Sequence, residues 1–249
     1  MEHEGILNSP ELIYNIDETG FNTDHKPGQV VGTSDRRIQI PSIVSSRGFT
    51  TTVISCVNGI GQVLPPYFIF KGKKRNDELM ENALPGSVYN LSDSGWSNGQ
   101  IFADFLDKHF KKYVTKKEGQ KVLLLFDGHK SHITAEVKAW AQMNSVILFL
   151  LPPHTSHALQ PLDVACFAPL KQKYSVECDK YLRDHKGHLI TRFQVAGLVS
   201  KAYGVAFTPA TIIASFRKSG IFPFDPSVIS EENVTPSKVS KYPDFVMLI

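Results

Sequence analysis

Cysteine is scarce in this 249-residue chain. Cys56, Cys166 and Cys178 are odd in number, and no two have the spacing of a disulfide framework or a thiolate metal site. A reducing intracellular compartment is the simplest setting for such a sequence. Long apolar runs are missing too: none approaches the ~20 residues that a membrane-spanning helix needs. The N-terminal Met1-Glu2-His3-Glu4-Gly5 has neither the basic region nor the apolar core of a secretory signal. An excess of one charge is also lacking, since Lys+Arg 27 against Asp+Glu 24 leaves only +3, which permits a nucleic-acid partner without requiring one. Internal repeats and low-complexity tracts are not found, so solenoid, collagen-like and mostly disordered chains are excluded. What remains is the composition of a globular α/β protein with no membrane partner.

The apolar pattern supplies the elements. Leu12-Ile13-Tyr14-Asn15-Ile16 is a short β-prone run ending at Asp17-Glu18, followed by a loop through His25-Lys26-Pro27-Gly28. Runs at 50–57 and 62–70 are joined by Asn58-Gly59-Ile60-Gly61, turn chemistry suited to a hairpin. Pro65-Pro66 points to an edge position or a bulge in the second run. A helix is expected from about Asn98, with Ile101, Phe102, Phe105, Leu106 and His109 on one side and Lys111 and Lys112 in its last turn. Val122-Leu123-Leu124-Leu125-Phe126 and Val146-Ile147-Leu148-Phe149-Leu150-Leu151 flank an amphipathic helix marked by Ile133, Val137, Trp140 and Ala141. Two fully apolar strands around one helix read as a βαβ unit in a parallel sheet covered on both faces. Leu170, Tyr174, Cys178 and Tyr181 form a further helical stripe, with Pro169 near its start. Residues 1–11 read as a lead-in, 12–229 as the folded domain and 230–249 as a polar tail with a short apolar end.

Three acids stand just past core strands: Asp17, Asp127 and Asp163. The carboxyl ends of parallel strands are where open α/β sheets bind ligands, and a cluster of carboxylates suits Mg²⁺. Spacing alone does not make them converge. The surrounding residues, however, fall into blocks: Asn15-Ile16-Asp17-Glu18-Thr19-Gly20-Phe21, Leu124-Leu125-Phe126-Asp127-Gly128-His129-Lys130-Ser131-His132, and Leu151-Pro152-Pro153-His154-Thr155-Ser156-His157-Ala158-Leu159-Gln160-Pro161-Leu162-Asp163. In this order they resemble the DDE-superfamily endonuclease domain of pogo, Tigger and jerky-type transposases. Leu91-Ser92-Asp93-Ser94-Gly95-Trp96 and Phe216-Arg217-Lys218-Ser219-Gly220-Ile221-Phe222-Pro223 extend the likeness over roughly residues 12–229.

The resemblance implies a ribonuclease-H-like mixed sheet flanked by helices, with a helical C-terminal extension. Its first and fourth strands would set Asp17 beside Asp127, and Asp163 would join them from the start of a helix. It further implies two divalent ions, Mg²⁺ or Mn²⁺, on Asp17, Asp127 and Asp163, acting on DNA phosphodiesters in cleavage and strand transfer. Glu18, His132 and His157 are supporting candidates, and Lys71, Lys73, Lys74 and Arg75 are candidates for DNA contact or, equally, a solvated loop. A nuclear location and a homodimer accompany that reading. Family members carry an N-terminal helix-turn-helix region. The sequence begins about a dozen residues before the first block, so the expectation is a fragment without that region, binding DNA weakly and without sequence preference. Two rivals stand beside it: a domesticated, non-catalytic nuclear protein that binds DNA or protein, and a zinc hydrolase built on His129, His132, His154 and His157. Trp96 is read as a packing anchor rather than a base-stacking residue, and Cys166 and Cys178 as core residues rather than nucleophiles.

Overall fold

A computed structural model describes residues 5–25, 48–114, 116–127, 133–229 and the backbone of 247–248. Its centre is one mixed sheet of seven strands: β1 Ile13–Asn22, β2 Thr50–Asn58, β3 Tyr67–Lys71, β4 Val88–Ser92, β5 Val122–Phe126, β6 Val146–Leu150 and β7 Met247–Leu248. The spatial order is β4-β3-β2-β1-β5-β6-β7. β1 and β2 are antiparallel, as are β2 and β3. β5 lies parallel to β1, and β6 parallel to β5. Two antiparallel connections followed by a parallel pair on the far side of β1 is the ribonuclease-H-like arrangement. The expected neighbour of β1 is the fourth strand. Here it is the fifth, because β4 intervenes in sequence and adds to the opposite edge, parallel to β3.

Local chemistry explains the ends of these elements. Gly61 takes φ +88° in the β2–β3 turn, and an added Cβ would lie 2.9 Å from Pro209, so this turn needs glycine twice over. Asn58 closes the same turn, accepting from the Gln62 amide at 2.9 Å. Pro65-Pro66 delays β3 until Tyr67 because proline cannot donate to the ladder. β3 is not an edge, since β4 covers it. β5 is buried at all five positions, as its Val-Leu-Leu-Leu-Phe sequence requires of a strand covered on both faces.

Helices cover both faces. On one side runs α1 Gly99–Phe105, a π-turn Leu106–Phe110 and α2 Lys111–Tyr113, started by Asn98, whose side chain accepts from the Ile101 amide at 3.0 Å. Tyr14 of β1 meets Phe110 of this helix edge-to-face at 5.3 Å. α3 Ala135–Met143 makes the β5–β6 crossover with Val137, Trp140 and Ala141 turned inward. On the other side, α4 Ser156–Leu159 and a π-turn Leu162–Cys166 lead into α5 Phe167–Asp184, then α6 Arg192–Ala206 and α7 Pro209–Lys218. Pro169 falls in the first turn of α5. Phe21 of β1 packs on Tyr174 of α5 at 4.8 Å, and Tyr174 donates to the Asn22 carbonyl at 3.1 Å. These two contacts fix the helix that follows Asp163 against the strand that carries Asp17. The apolar end of the tail pairs with β6 as β7, while 230–246 and 249 lie outside the described residues.

Candidate functional site

Asp17 is inside β1 rather than at its end: the strand runs on to Asn22 because β2 continues to pair with it as far as Thr50. Ile16 is level with Phe126, so Asp17 meets the point where β5 ends and Asp127 begins. Alternation along β1 puts Asn15, Asp17 and Phe21 on the α5 face. Glu18 projects to the opposite face, where Tyr14 packs on Phe110. Asp163 is in the π-turn that opens α5, exposed and facing β1.

The three carboxylates share one electrostatic field. Burial, followed by the charge of Asp163 and more weakly that of Asp127, pushes the Asp17 carboxyl well above the ordinary carboxylate range. Asp163 is also raised, by desolvation and then by Asp127, with the Asp17 hydrogen bond and Lys171 opposing. Without a cation, both Asp17 and Asp163 are held above the ordinary carboxylate range, Asp17 chiefly by its burial. Asp127 is held from outside the cluster, its Oδ2 accepting from the Ser156 hydroxyl at 2.8 Å. Among the described residues, no group of three or more His, Cys, Asp or Glu is arranged to hold a metal ion. The acids influence one another electrostatically without closing as a ligand set. Their chemistry nevertheless fits a hard divalent cation: the donors are all oxygen, and two of the carboxyls carry raised proton affinity that added positive charge would relieve.

A pair of buried amides braces these segments. Asn15, two residues before Asp17, donates from Nδ2 to the Leu125 carbonyl at 3.1 Å and to Gln160 Oε1 at 2.8 Å. Its Oδ1 accepts from the Leu162 amide at 3.0 Å. Gln160 in turn donates from Nε2 to the Ile16 carbonyl at 3.1 Å and bonds the Asp17 carboxylate. Both amides are fully buried. The bonds therefore join the strand before Asp127, the strand holding Asp17 and the turn holding Asp163. Sequence reasoning assigned these two residues no role. The signal was present: a lone Asn inside an apolar strand, and a Gln just before a proline, must find buried partners.

Beside Asp163, the residues His154, Ser156, His157 and Val164 line an open cleft of about 710 Å³. His154 takes φ +63°, a left-handed conformation uncommon outside glycine. His154 and His157 are exposed beside the cleft, while His129 and His132 lie outside the described residues. Cys166 and Cys178 are buried, and burial pushes their thiols up to about 11 and about 12. They are inert core residues, as expected.

The basic run is solvent-facing, whereas Trp96 differs from expectation. Arg75 is folded back, its guanidinium 4.5 Å over the Tyr89 ring. Lys71, Lys73 and Lys74 are exposed. Trp96 is no packing anchor: it is 57% exposed, because Gly95 at φ +83° turns the chain outward after β4.

A family profile described as DDE superfamily endonuclease matches residues 49–216. A Cochliobolus lunatus protein named MFS-type transporter clz9 is 34% identical over 222 residues, 88% of this chain and 24% of that protein. Among the described residues no helix is long and apolar enough to cross a membrane. The Mus musculus protein named pogo transposable element with KRAB domain is 24% identical over 68% of this chain and 27% of its own length. This chain thus spans about a quarter of the length of these curated relatives. A solved structure, the Mos1 transposase paired-end complex with left transposon end, is similar at a TM-score of 0.44 and 14% identity, covering 80% of this chain and 56% of that one.

Proposed function

The chain belongs to the DDE superfamily endonuclease family, and from that premise we propose that it is a transposase-type catalytic domain that cleaves DNA phosphodiesters with divalent metal ions and transfers strands. The observation that carries this reading is the meeting of Asp17, Asp127 and Asp163 in one field, with raised proton affinity at two of them. Bound Mg²⁺ or Mn²⁺ would supply Lewis-acid polarisation of the phosphodiester and a nucleophile of lowered pKa. Asp17, Asp127 and Asp163 would hold the ions.

The chain's own residues do the rest. Ser156 orients Asp127 through its hydroxyl, and Gln160 holds the Asp17 carboxylate while Asn15 fixes Gln160. The cleft beside Asp163 is wide enough to admit a backbone phosphate, and His157 lines it. Glu18, expected as a support, projects to the other face of β1 and takes no part in the site on this reading; His132 lies outside the described residues. DNA is the substrate class, held chiefly through phosphate contacts from Lys71, Lys73 and Lys74. Such contacts give weak, sequence-indifferent affinity on the order of 10⁻⁴–10⁻⁶ M at physiological salt. The working compartment that follows is the nucleus.

The test is nicking of supercoiled plasmid with Mg²⁺ or Mn²⁺, wild type against Asp127→Asn. The wild type should nick only with metal, and the variant should fall to background. Wild-type protein that binds DNA but nicks with neither ion would instead leave a non-catalytic DNA-binding scaffold.

A further inference from the structure

We propose that the loops after β3 and β4 form a second nucleic-acid subsite, in which Trp96 stacks on an unpaired base and Lys71, Lys74 and Arg192 hold the adjoining phosphates. This rests on the DNA-directed reading above and names the part of the substrate that a separate surface holds.

The sheet topology brings these residues together. β3 and β4 are parallel, and Lys71 is level with Ser92, so both loops leave the same end of the sheet. β2 runs the other way and begins there, which brings Phe49 to the same end. The loop after β4 is tied down: the Thr52 hydroxyl donates to the Gly95 carbonyl at 2.9 Å, and Ser92 Oγ accepts from the Gly95 amide at 2.8 Å. An added Cβ on Gly95 would lie 3.2 Å from the Lys71 Cβ. The next residue is Trp96, 57% exposed, and Phe49 is 48% exposed. Arg192 reaches in from α6 and donates to the Lys71 carbonyl at 3.1 Å. Two acids stand at this end: Asp93, 3.5 Å from Lys73, which it partly neutralises, and Asp24 beside Gly48; Lys71, Lys74 and Arg192 supply the positive field.

An indole ring left in water on a tethered loop, at the sheet end that also carries Lys71 and the side chain of Arg192, matches how proteins hold unpaired strands. Every base has a π-face, and the phosphates beside it need positive charge. The position also suits a shared substrate. Lys71 is level with Asn22 through β2, five residues beyond Asp17 on β1 and two strands across. At about 3.4 Å per residue and ~4.8 Å per strand, the two sites are roughly 20 Å apart. About six nucleotide steps at ~3.4 Å cover that distance.

The chain has two tryptophans, and the other, Trp140, is buried with its indole N–H bonded to Asp107 at 3.0 Å. Emission from Trp96 therefore reports stacking directly. Full-length protein is titrated with a 12-residue oligothymidylate, in parallel with fluorescence anisotropy of the labelled strand. Oligothymidylate should quench wild-type emission, and Trp96→Phe should bind comparably without that quench. Trp96→Ala should bind about tenfold more weakly, and Lys71→Ala with Lys74→Ala should flatten the salt dependence by about two phosphate contacts. Circular dichroism melts establish that each variant is folded. Asp127→Asn should be quenched like wild type. Quenching there without wild-type nicking would overturn the endonuclease reading alone, whereas nicking with a silent Trp96 would overturn the subsite alone. Equal quenching by polyglutamate, or unchanged binding in Trp96→Ala, would also overturn it.

Discussion

The two halves of the sheet end that carries the acids are built by opposite means. On the β1–β5 side, three acids are set by buried amides whose bonds run between three chain segments. On the β3–β4 side, the chemistry rests on exposed side chains, with one tethered glycine loop beneath them. On the proposed reading the difference follows from what each half would have to do. Carboxylates that share cations need fixed positions, and a satisfied buried network supplies them at the risk of a large penalty if one member is lost. Stacking and phosphate contact tolerate movement, so long exposed side chains suffice.

The sharpest way to break this contrast is to cut the brace. Asn15→Ala would remove the side-chain bonds to the Leu125 carbonyl, the Leu162 amide and Gln160 Oε1 inside the core. It should destabilise the protein by about 3 kcal/mol, or roughly 6–12 °C in Tm, together with loss of metal-dependent nicking. A melt within ~1 °C of wild type would show that the amides do not hold the site.

A smaller effect of opposite sign is expected at Asp17. Its carboxyl binds protons more readily folded than unfolded. The stability this provides is fully present below the unfolded carboxyl pKa near ~3.9 and is lost as pH rises toward and through the raised folded value. Metal-free wild type should accordingly lose Tm as pH climbs from about 4, whereas metal-free Asp17→Asn should be flatter and more stable at neutral pH. Calorimetry across pH in chelator distinguishes the two; parallel profiles would mean that Asp17 carries no strain.

The smallest effect belongs to the other half. Trp96→Ala and Lys74→Ala should each change stability by less than ~0.5 kcal/mol, since their side chains are exposed. A loss above ~2 kcal/mol at either would erase the contrast.

Much of the fold was legible from apolar pattern: the hairpin turn at 58–61, the helix opening at Asn98 and the βαβ unit from 122 to 150. The acids were legible as residues near strand ends, and their meeting depended on a topology that spacing does not encode. β4 escaped notice because Val88-Tyr89-Asn90-Leu91-Ser92 is short and half polar, and only its neighbour β3 makes it a strand. Asn15 and Gln160 escaped because their partners lie more than a hundred residues away in sequence. Trp96 was misjudged because size suggests burial, and the outward turn at Gly95 is visible only in three dimensions.

The central claim is that Asp17, Asp127 and Asp163 act as one cation-dependent centre. Its most direct test is the thermal midpoint of the full chain at neutral pH, titrated with Mn²⁺ and followed for wild type, Asp17→Asn and Asp127→Asn. The wild-type midpoint should climb with ion concentration, as linkage requires of any ligand that binds the folded state, while both variants stay nearly flat. A wild-type midpoint indifferent to Mn²⁺, or variants that climb as steeply as wild type, would contradict it.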